Sequence, residues 1–301
     1  MTTVVGGINM DIGARSFAAL RERDSNPGQI SVRPGGVGFN IARNLALLGE
    51  QVTMLSAVGE DEYAPRIRRE CRRYGVADDA VRIVPGERTS VYLYIAGPDG
   101  DMALAVNDMA VTERIDGDYL ATQADRLQTA DAVVVDANLT EETLRCLTEQ
   151  VTAPVFADGV SAAKVRRLAP SLERLYALKV NEYEAQMLTG IEARDEEALR
   201  RMAESIADRG VRNVFLSLGG EGLLAFDGRS FTRLPAPEGA PRDTTGGGDA
   251  MTAGLVRAYR AGMTAAAGAA FALAAASLAV ETEGTINDAL CFERCLERAR
   301  L

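Results

Sequence analysis

The stretch Asp243-Thr244-Thr245-Gly246-Gly247-Gly248-Asp249-Ala250 gathers the features of this chain that could do chemistry. Three consecutive glycines free the backbone for positive φ and for close approach to a ligand, and residues 250–259 pattern as a helix. A helix therefore opens at the loop. Its unpaired first-turn amides and the positive end of its dipole suit an anion, or negative charge developing on a phosphate. Asp249 stands at that mouth; taken alone it would serve as an N-cap, a position Asp fills well. The chain has no histidine, which excludes Ser-His and Cys-His nucleophile pairs, a histidine base and His-ligated zinc. Any general base must be a carboxylate, Lys, Tyr or Cys, and Asp249 has few competitors.

A chain of 301 residues, 47% of them hydrophobic, can bury one full α/β core. A formal charge of −10 without a basic run excludes a nucleic-acid surface and points to a small-molecule partner. The one long uncharged apolar run, residues 264–280, carries Gly and Ser and is expected as a buried helix, not a membrane span. The start, Met1-Thr-Thr-Val-Val-Gly-Gly, lacks the basic region and cleavage pattern of a signal peptide, so a cytoplasmic location is expected. Cys71, Cys146, Cys291 and Cys295 have no metal-ligand spacing and are expected as thiols.

Residues 2–8 pattern as a buried first strand, with Asn9 and Asp11 at its carboxyl end, where open α/β sheets bind ligands; turn formation is their alternative role. Residues 13–34 are irregular around the turn signal Asp24-Ser25-Asn26-Pro27-Gly28 and predict a flap of short strands. Gly35-Gly36-Val37-Gly38-Phe39-Asn40 leads into a helix at residues 41–48, stopped by Gly49. That run lacks the GxGxxG spacing and the acidic ribose ligand of a dinucleotide site. Strand patterns at 89–95 and 102–106 flank the hairpin turn Gly97-Pro98-Asp99-Gly100. Beyond it strands at 132–135, 155–157 and 174–178 alternate with helices at 141–150, near 162 and at 182–188. Such alternation predicts an α/β fold with a mostly parallel central sheet between helices. Late strands at 213–218, 223–226 and 230–234 precede a helical carboxyl end. Asn181 and Glu184 fall in the first turn of a helix that follows a strand, a spacing that also suits a capping box. Ser217-Leu218-Gly219-Gly220-Glu221-Gly222 is a glycine-rich turn after another strand.

Over nearly its whole length the chain resembles the PfkB or ribokinase-like family of sugar and nucleoside kinases. Asp243 to Asp249 is similar to the family's DTxGAGD signature, with Gly247 in place of Ala; residues 35–49 are similar to its GG-x-G-x-N signature, and Asn181 to Glu184 to its NxxE motif. The resemblance implies a ribokinase-like fold, one domain over residues 1–301, and a small β lid from residues 13–33 and 88–106. It implies ATP-dependent transfer of a phosphoryl group to a hydroxyl, a reaction that needs a carboxylate at the attacking oxygen, donors around the moving group and a metal. Asp249 is implied as the general base and the amides of Gly246, Gly247 and Gly248 as the anion hole. Asn181 and Glu184 are implied to hold Mg²⁺ through water, and Asp243 and Thr245 a monovalent cation such as K⁺. The likeness puts Asn9, Asp11, Gly36 and Asn40 on the sugar hydroxyls, with Lys179, Ser217, Gly219 and Gly222 beside the nucleotide. The expected acceptor is the ribose 5′-hydroxyl of a nucleoside whose base lies under the lid by Thr89 and Asn107. Another nucleoside, a free sugar such as ribose or fructose, or a non-catalytic ligand-binding regulator are the alternatives. A homodimer through the lid is also implied. The chain departs from relatives at Phe39, where Arg is often found, at Leu273, where an adenine-side Asn is frequent, and at Val180, where Pro is frequent.

Overall fold

The computed structural model describes residues 1–237, 239 and 241–301. In chain order the strands are β1 (Thr2–Val5), β2 (Asn9–Ser16), β3 (Gly28–Gly35), β4 (Val52–Gly59), β5 (Val81–Val84), β6 (Val91–Ala96), β7 (Met102–Asp108), β8 (Ala132–Asp136), β9 (Val155–Asp158), β10 (Leu175–Asn181), β11 (Asn213–Ser217), β12 (Leu223–Phe226) and β13 (Phe231–Leu234). The α-helices are α1 (Val37–Leu47), α2 (Tyr63–Arg73), α3 (Gly117–Thr122), α4 (Ala124–Gln128), α5 (Glu141–Gln150), α6 (Glu182–Thr189), α7 (Glu196–Ala207), α8 (Gly247–Arg260), α9 (Ala265–Ala279) and α10 (Phe292–Ala299).

Nine strands form one sheet in the order β13-β12-β11-β10-β9-β8-β1-β4-β5. From β11 to β5 neighbouring strands run parallel, and the β12-β13 hairpin closes one edge antiparallel. Strands buried on both faces need continuous apolar runs, and β4 and β8 are buried at every position. Their side chains alternate between two cores. Val4, Met54 and Val134 face α1, α8 and α9 through Ile41, Met251 and Phe271. Val5, Leu55, Val133 and Val135 face α5 and α7 through Leu144, Leu147 and Met202. Among the described residues no helix is long and apolar enough to cross a membrane.

A second sheet, β3-β2-β6-β7, stands apart from the first. Its register places Arg33, Asp11, Tyr92 and Asn107 in one row across the four strands. The opposite face is apolar: Val32, Ile12, Leu93 and Val106 form one row and Ile30, Ala14, Ile95 and Leu104 the next.

The structure corrects several sequence expectations. The first strand ends at Val5, and Asn9 and Asp11 lie on a strand of the second sheet, not in a turn. Residues 13–34 hold not short strands but one long antiparallel ribbon, paired from Asn9↔Gly35 to Ser16↔Gly28. The helix expected near residue 162 is a 3₁₀ helix, Val165–Arg174, into which Pro170 fits where it would break an α-helix. Three parallel strands run further than their apolar patterns, ending on the polar residues Asp136, Asp158 and Asn181.

Helices α8 and α9 pack closely because the faces between them are built of Gly and Ala. A Cβ at Gly254 would lie 2.7 Å from Ala272 Cα, whereas one at Gly268 would lie at an ordinary 3.4 Å from Ala258 Cβ. Gly254→Val is therefore expected to lower the unfolding free energy by ~1–3 kcal/mol through overpacking, while Gly268→Ala is expected to be neutral or stabilising by ~0.5–1 kcal/mol. Urea unfolding of the two variants checks this. Equal effects would show that the interhelical spacing is not set at Gly254.

Candidate active site

Helix α8 is preceded at its N-cap position by Gly246, whose φ of 85° puts it in the left-handed region. A Cβ there would meet Thr285 O at 2.4 Å, so both conformation and space call for glycine. No side chain caps this helix, and its first-turn amides keep no partner within it. Asp249 is the third helical residue, not the cap, which sets aside the N-cap role. Its carboxylate accepts instead from Asn40 Nδ2 of α1 at 2.7 Å, and the residue is only 9% exposed. A Cβ on Gly248 would lie 2.6 Å from Lys179 Nζ, so that ammonium sits against the helix mouth.

Lys179 belongs to a row of charges at the carboxyl edge of the main sheet. Lys179 pairs in register with Asp158, and Asp158 with Asp136. Lys179 Nζ is 3.4 Å from Asp158 Oδ2, and the same oxygen accepts from Thr252 Oγ of α8 at 2.6 Å. Asp136 accepts from the amides of Gly7 at 2.9 Å and Asn138 at 2.8 Å. Gly6 and Gly38 leave room for it, since a Cβ on either would stand 2.4 and 2.9 Å from Asp136 Oδ2.

Burial, then the neighbouring charge of Asp158, pushes the Asp249 carboxyl up to about 8, against the opposing effects of the Asn40 donor and Lys179. Burial likewise raises Asp136, and raises Glu184 against the pull of Lys179. For Lys179 burial works toward lower values, but the charges of Asp158, Glu184 and Asp249 outweigh it and hold the ammonium protonated.

On the other side of Asp249 lie the residues expected at the sugar. Asn9 Nδ2 donates to Asp11 Oδ1 at 2.6 Å. Gly36, at φ 103°, brings its backbone against Gly7 O, where a Cβ would be 2.6 Å away, and Gly35 leaves space for the Asp11 carboxylate. Burial raises the Asp11 carboxyl, while the Asn9 donor and the Arg43 charge oppose the shift. Asn107 shares the row of Asp11 but sits exposed on β7. Thr89 is already committed: its hydroxyl donates to Asp61 at 2.7 Å and accepts from Gly59 N at 3.1 Å.

Asn181 and Glu184 form a complete capping box at the start of α6, and Asn181 Nδ2 also donates to Glu184 Oε1 at 2.9 Å. Ser217 lies level with Asn181 on the next strand. Gly219 opens a 3₁₀ turn with free space around it, whereas Gly222 is needed by the fold itself, because a Cβ there would be 2.0 Å from Leu234 O. Asp243 accepts from Thr245 N at 2.9 Å and from Gly284 N at 3.0 Å, which ties the glycine loop to residues 280–285. Burial works to raise the Asp243 carboxyl, but those donors and the charge of Arg33 outweigh it and hold it low.

Among the described residues no three His, Cys, Asp or Glu side chains cluster as a ready metal cage. Asn181 Oδ1 and the Glu184 carboxylate are hard oxygens that already accept from N–H groups of Glu184 and Asn181, a set that suits an ion keeping its own water shell, as Mg²⁺ does. Sequence reasoning passed over Asp136, Asp158, Thr252 and Arg43; the signal available for the two acids was a polar residue closing an apolar strand. A groove of about 360 Å³ beside Asp79, Arg82 and Tyr119 holds none of these groups.

The model of the pfkB family of carbohydrate kinases matches residues 1–290, and the chain belongs to that family. It is a phosphotransferase of the sugar and nucleoside kinase class with a ribokinase-like fold. Among solved structures, the ribokinase of Arabidopsis thaliana complexed with ribose and ATP superposes with a TM-score of 0.87 at 25% identity, over 100% of this chain and 98% of that one. Among relatives, the pseudouridine kinase of Escherichia coli strain K12 is 38% identical over 287 residues, 94% of this chain and 91% of the relative. The ribokinase of Bacillus subtilis strain 168 is 26% identical over 284 residues, 92% of each chain.

Because the folded-state pKa of Asp249, about 8, lies above its ordinary value of 3.8, the fold favours the protonated acid. The stability it contributes is full below about pH 4 and is lost as pH rises through about 8. Asp249→Asn removes that titration. In urea unfolding, the stability of Asp249→Asn relative to the unsubstituted protein is expected to rise between about pH 5 and about pH 9; a difference that stays flat would mean that Asp249 titrates as an ordinary carboxylate.

Proposed function

We propose that this chain is an ATP-dependent pseudouridine kinase, which transfers the γ-phosphoryl group of ATP to the ribose 5′-hydroxyl and releases pseudouridine 5′-phosphate and ADP. The observation that carries the chemistry is Asp249, a buried carboxylate in the first turn of an uncapped helix, bonded to Asn40 on the acceptor side and close to Lys179 on the phosphate side. The choice of acceptor is supported by the 38% identity to a pseudouridine kinase. It is also supported by Asp24 to Gly28, Gly35 to Asn40, Ala105 to Met109 and Glu281 to Asn287, the segments in which the chain most resembles such enzymes.

In this reading Asn9, Asp11, Gly36 and Asn40 bind the ribose hydroxyls and aim the 5′-oxygen at the γ-phosphorus. Asp249 takes the hydroxyl proton as the new O–P bond forms, and the bond from γ-phosphorus to the β,γ-bridging oxygen breaks with its electron pair leaving on ADP. Its high proton affinity suits it to that role once ionised. The amides of Gly246, Gly247 and Gly248, with Lys179 beside them, receive the charge on the phosphoryl oxygens. Ser217, Gly219 and Gly222 border the nucleotide. Asn181 and Glu184 would hold a hydrated Mg²⁺, which supplies charge neutralisation at the phosphates, and Asp243 and Thr245 would serve a K⁺ ion. The second sheet acts as the lid, its Asp11 row turned to the acceptor and Asn107 near the base, and closure over the sugar excludes water that would otherwise hydrolyse ATP.

The apolar face of that sheet exposes Ile30, Leu104 and Val106 at 70%, 59% and 61%. We take it as the contact between two copies of the chain, since apolar sheet faces of this kind are covered in stable proteins.

Consumption of ATP with pseudouridine, uridine, adenosine, ribose and fructose tests the acceptor: pseudouridine is expected to react best, and turnover of ribose or fructose without pseudouridine would overturn that choice while leaving the family chemistry standing. Asp249→Asn is expected to lower kcat by roughly 10²–10⁴-fold with binding of both substrates retained. Leu104→Lys is expected to halve the mass seen in sedimentation equilibrium; an unchanged mass would remove the second sheet from the dimer contact.

A further inference from the structure

Arg43 is a buried cation that the chemistry described so far leaves without a task. It is 4% exposed, three residues after Asn40 on α1. Burying a guanidinium is costly unless it is paired, yet among the described residues the one carboxylate in reach, Glu70, lies 4.0 Å from Nη1, and Nε has no partner. The contacts it does make lead to the site. Nη2 donates to Asn40 Oδ1 and, at 3.3 Å, to Pro34 O. The guanidinium lies 4.4 Å from the centre of the Phe39 ring and 5.6 Å from that of Tyr74, which fixes its plane.

The consequence falls on Asn40. A side-chain amide presents an acceptor oxygen and a donor nitrogen that exchange places on a half-turn. Arg43 can only donate, so it selects the orientation with Oδ1 toward itself, and Thr285 Oγ adds a second donor to that oxygen at 3.4 Å. Nδ2 is left facing Asp249, where it donates at 2.7 Å. With Asp249 ionised, as it must be to act as a base, a half-turn would set the amide nitrogen against the guanidinium and the amide oxygen against the carboxylate, unfavourable on both sides.

We infer that Arg43 is a positioning residue for phosphoryl transfer: by donating to Asn40 Oδ1 it locks the Asn40 amide with Nδ2 on Asp249, and so holds the base and the sugar-side amide in the reacting arrangement. This rests on the kinase reading of the same site. In this role Arg43 acts through Asn40.

The test is a double-mutant cycle. Arg43→Met keeps the length and the packing against Phe39 but removes the donor. It is expected to lower kcat for the preferred acceptor by ~10²-fold, the usual result of misplacing a reacting group by about 1 Å, with the KM for ATP unchanged. Arg43→Lys, which keeps one donor and the charge, is expected to recover most of that loss. In an Asn40→Ala background Arg43→Met is expected to cost nothing further, because the group it positions is gone. Equal losses in the two backgrounds, or an unchanged kcat in Arg43→Met, would overturn the inference. If Arg43→Met does not fold, as read by its thermal transition, Arg43→Leu, which also lacks a donor, takes its place in the cycle under the same criteria. Asp249→Asn is the separating control: if it keeps normal turnover the kinase reading fails, and if it is inactive while Arg43 proves indifferent only the positioning role fails.

Discussion

Keeping a carboxylate at the mouth of a helix, out of water and beside other carboxylates, is the demand that shapes this molecule. An acid in that position resists ionisation because burial and like charge both oppose it. The surroundings of Asp249 answer the demand locally: Asn40 donates to it, Lys179 stands on its other side, and uncapped amides of α8 face the same space. The resulting group is a stronger base than a solvated aspartate would be. It is also one whose placement depends on several elements at once, since Asn40 comes from α1, Lys179 from β10 and Asp249 itself from α8.

Those elements can meet only because glycine stands where they converge. Gly6 and Gly38 allow β1 and α1 to close around Asp136, Gly36 crosses against Gly7 with positive φ, and Gly246 turns under Thr285. The GGxG run therefore has a packing role before it has a binding one: its glycines bring the second sheet, which carries Asn9 and Asp11, up to the carboxyl edge of the first. The division of labour follows from that junction. In the kinase reading the phosphate-side groups sit on the parallel sheet and its helices, whereas the acceptor-side groups sit partly on a smaller sheet joined to it by the short links 6–8 and 36 and by the segments leading into β6 and out of β7. In that reading the second sheet closes over a small substrate held beside the phosphate groups.

The Asn181–Glu184 pair shows how a motif and a structural device can share the same atoms. Its spacing satisfies a capping box completely, and both polar groups are spent on each other. Glu184 is nonetheless buried near Lys179 and Asp158, whose charges it feels, so the cap that starts α6 also delivers a carboxylate to the charged row.

Much of this was legible in the chain because it is local. Periodicity alone marked the alternating strands and helices and hence the parallel sheet; three glycines before a helical pattern marked the start of α8; the absence of histidine left Asp249 as the candidate base. What the sequence could not convey depends on contacts between residues far apart. Asp136 and Asp158 looked like ordinary strand ends, and only the register β8-β9-β10 makes them neighbours of Lys179. Asn9 and Asp11 had the types of turn residues, and only pairing with β3 and β6 draws them into a strand. Arg43 had the look of a solvated charge on a helix, and only distant residues such as Pro34, Glu70 and Tyr74 surround it behind Asn40. Side-chain type and short-range spacing decide which groups are available and which local structures they start. Burial, and with it the proton affinity of a carboxylate and the orientation of an amide, is set by what the rest of the chain places around them, which requires the tertiary structure.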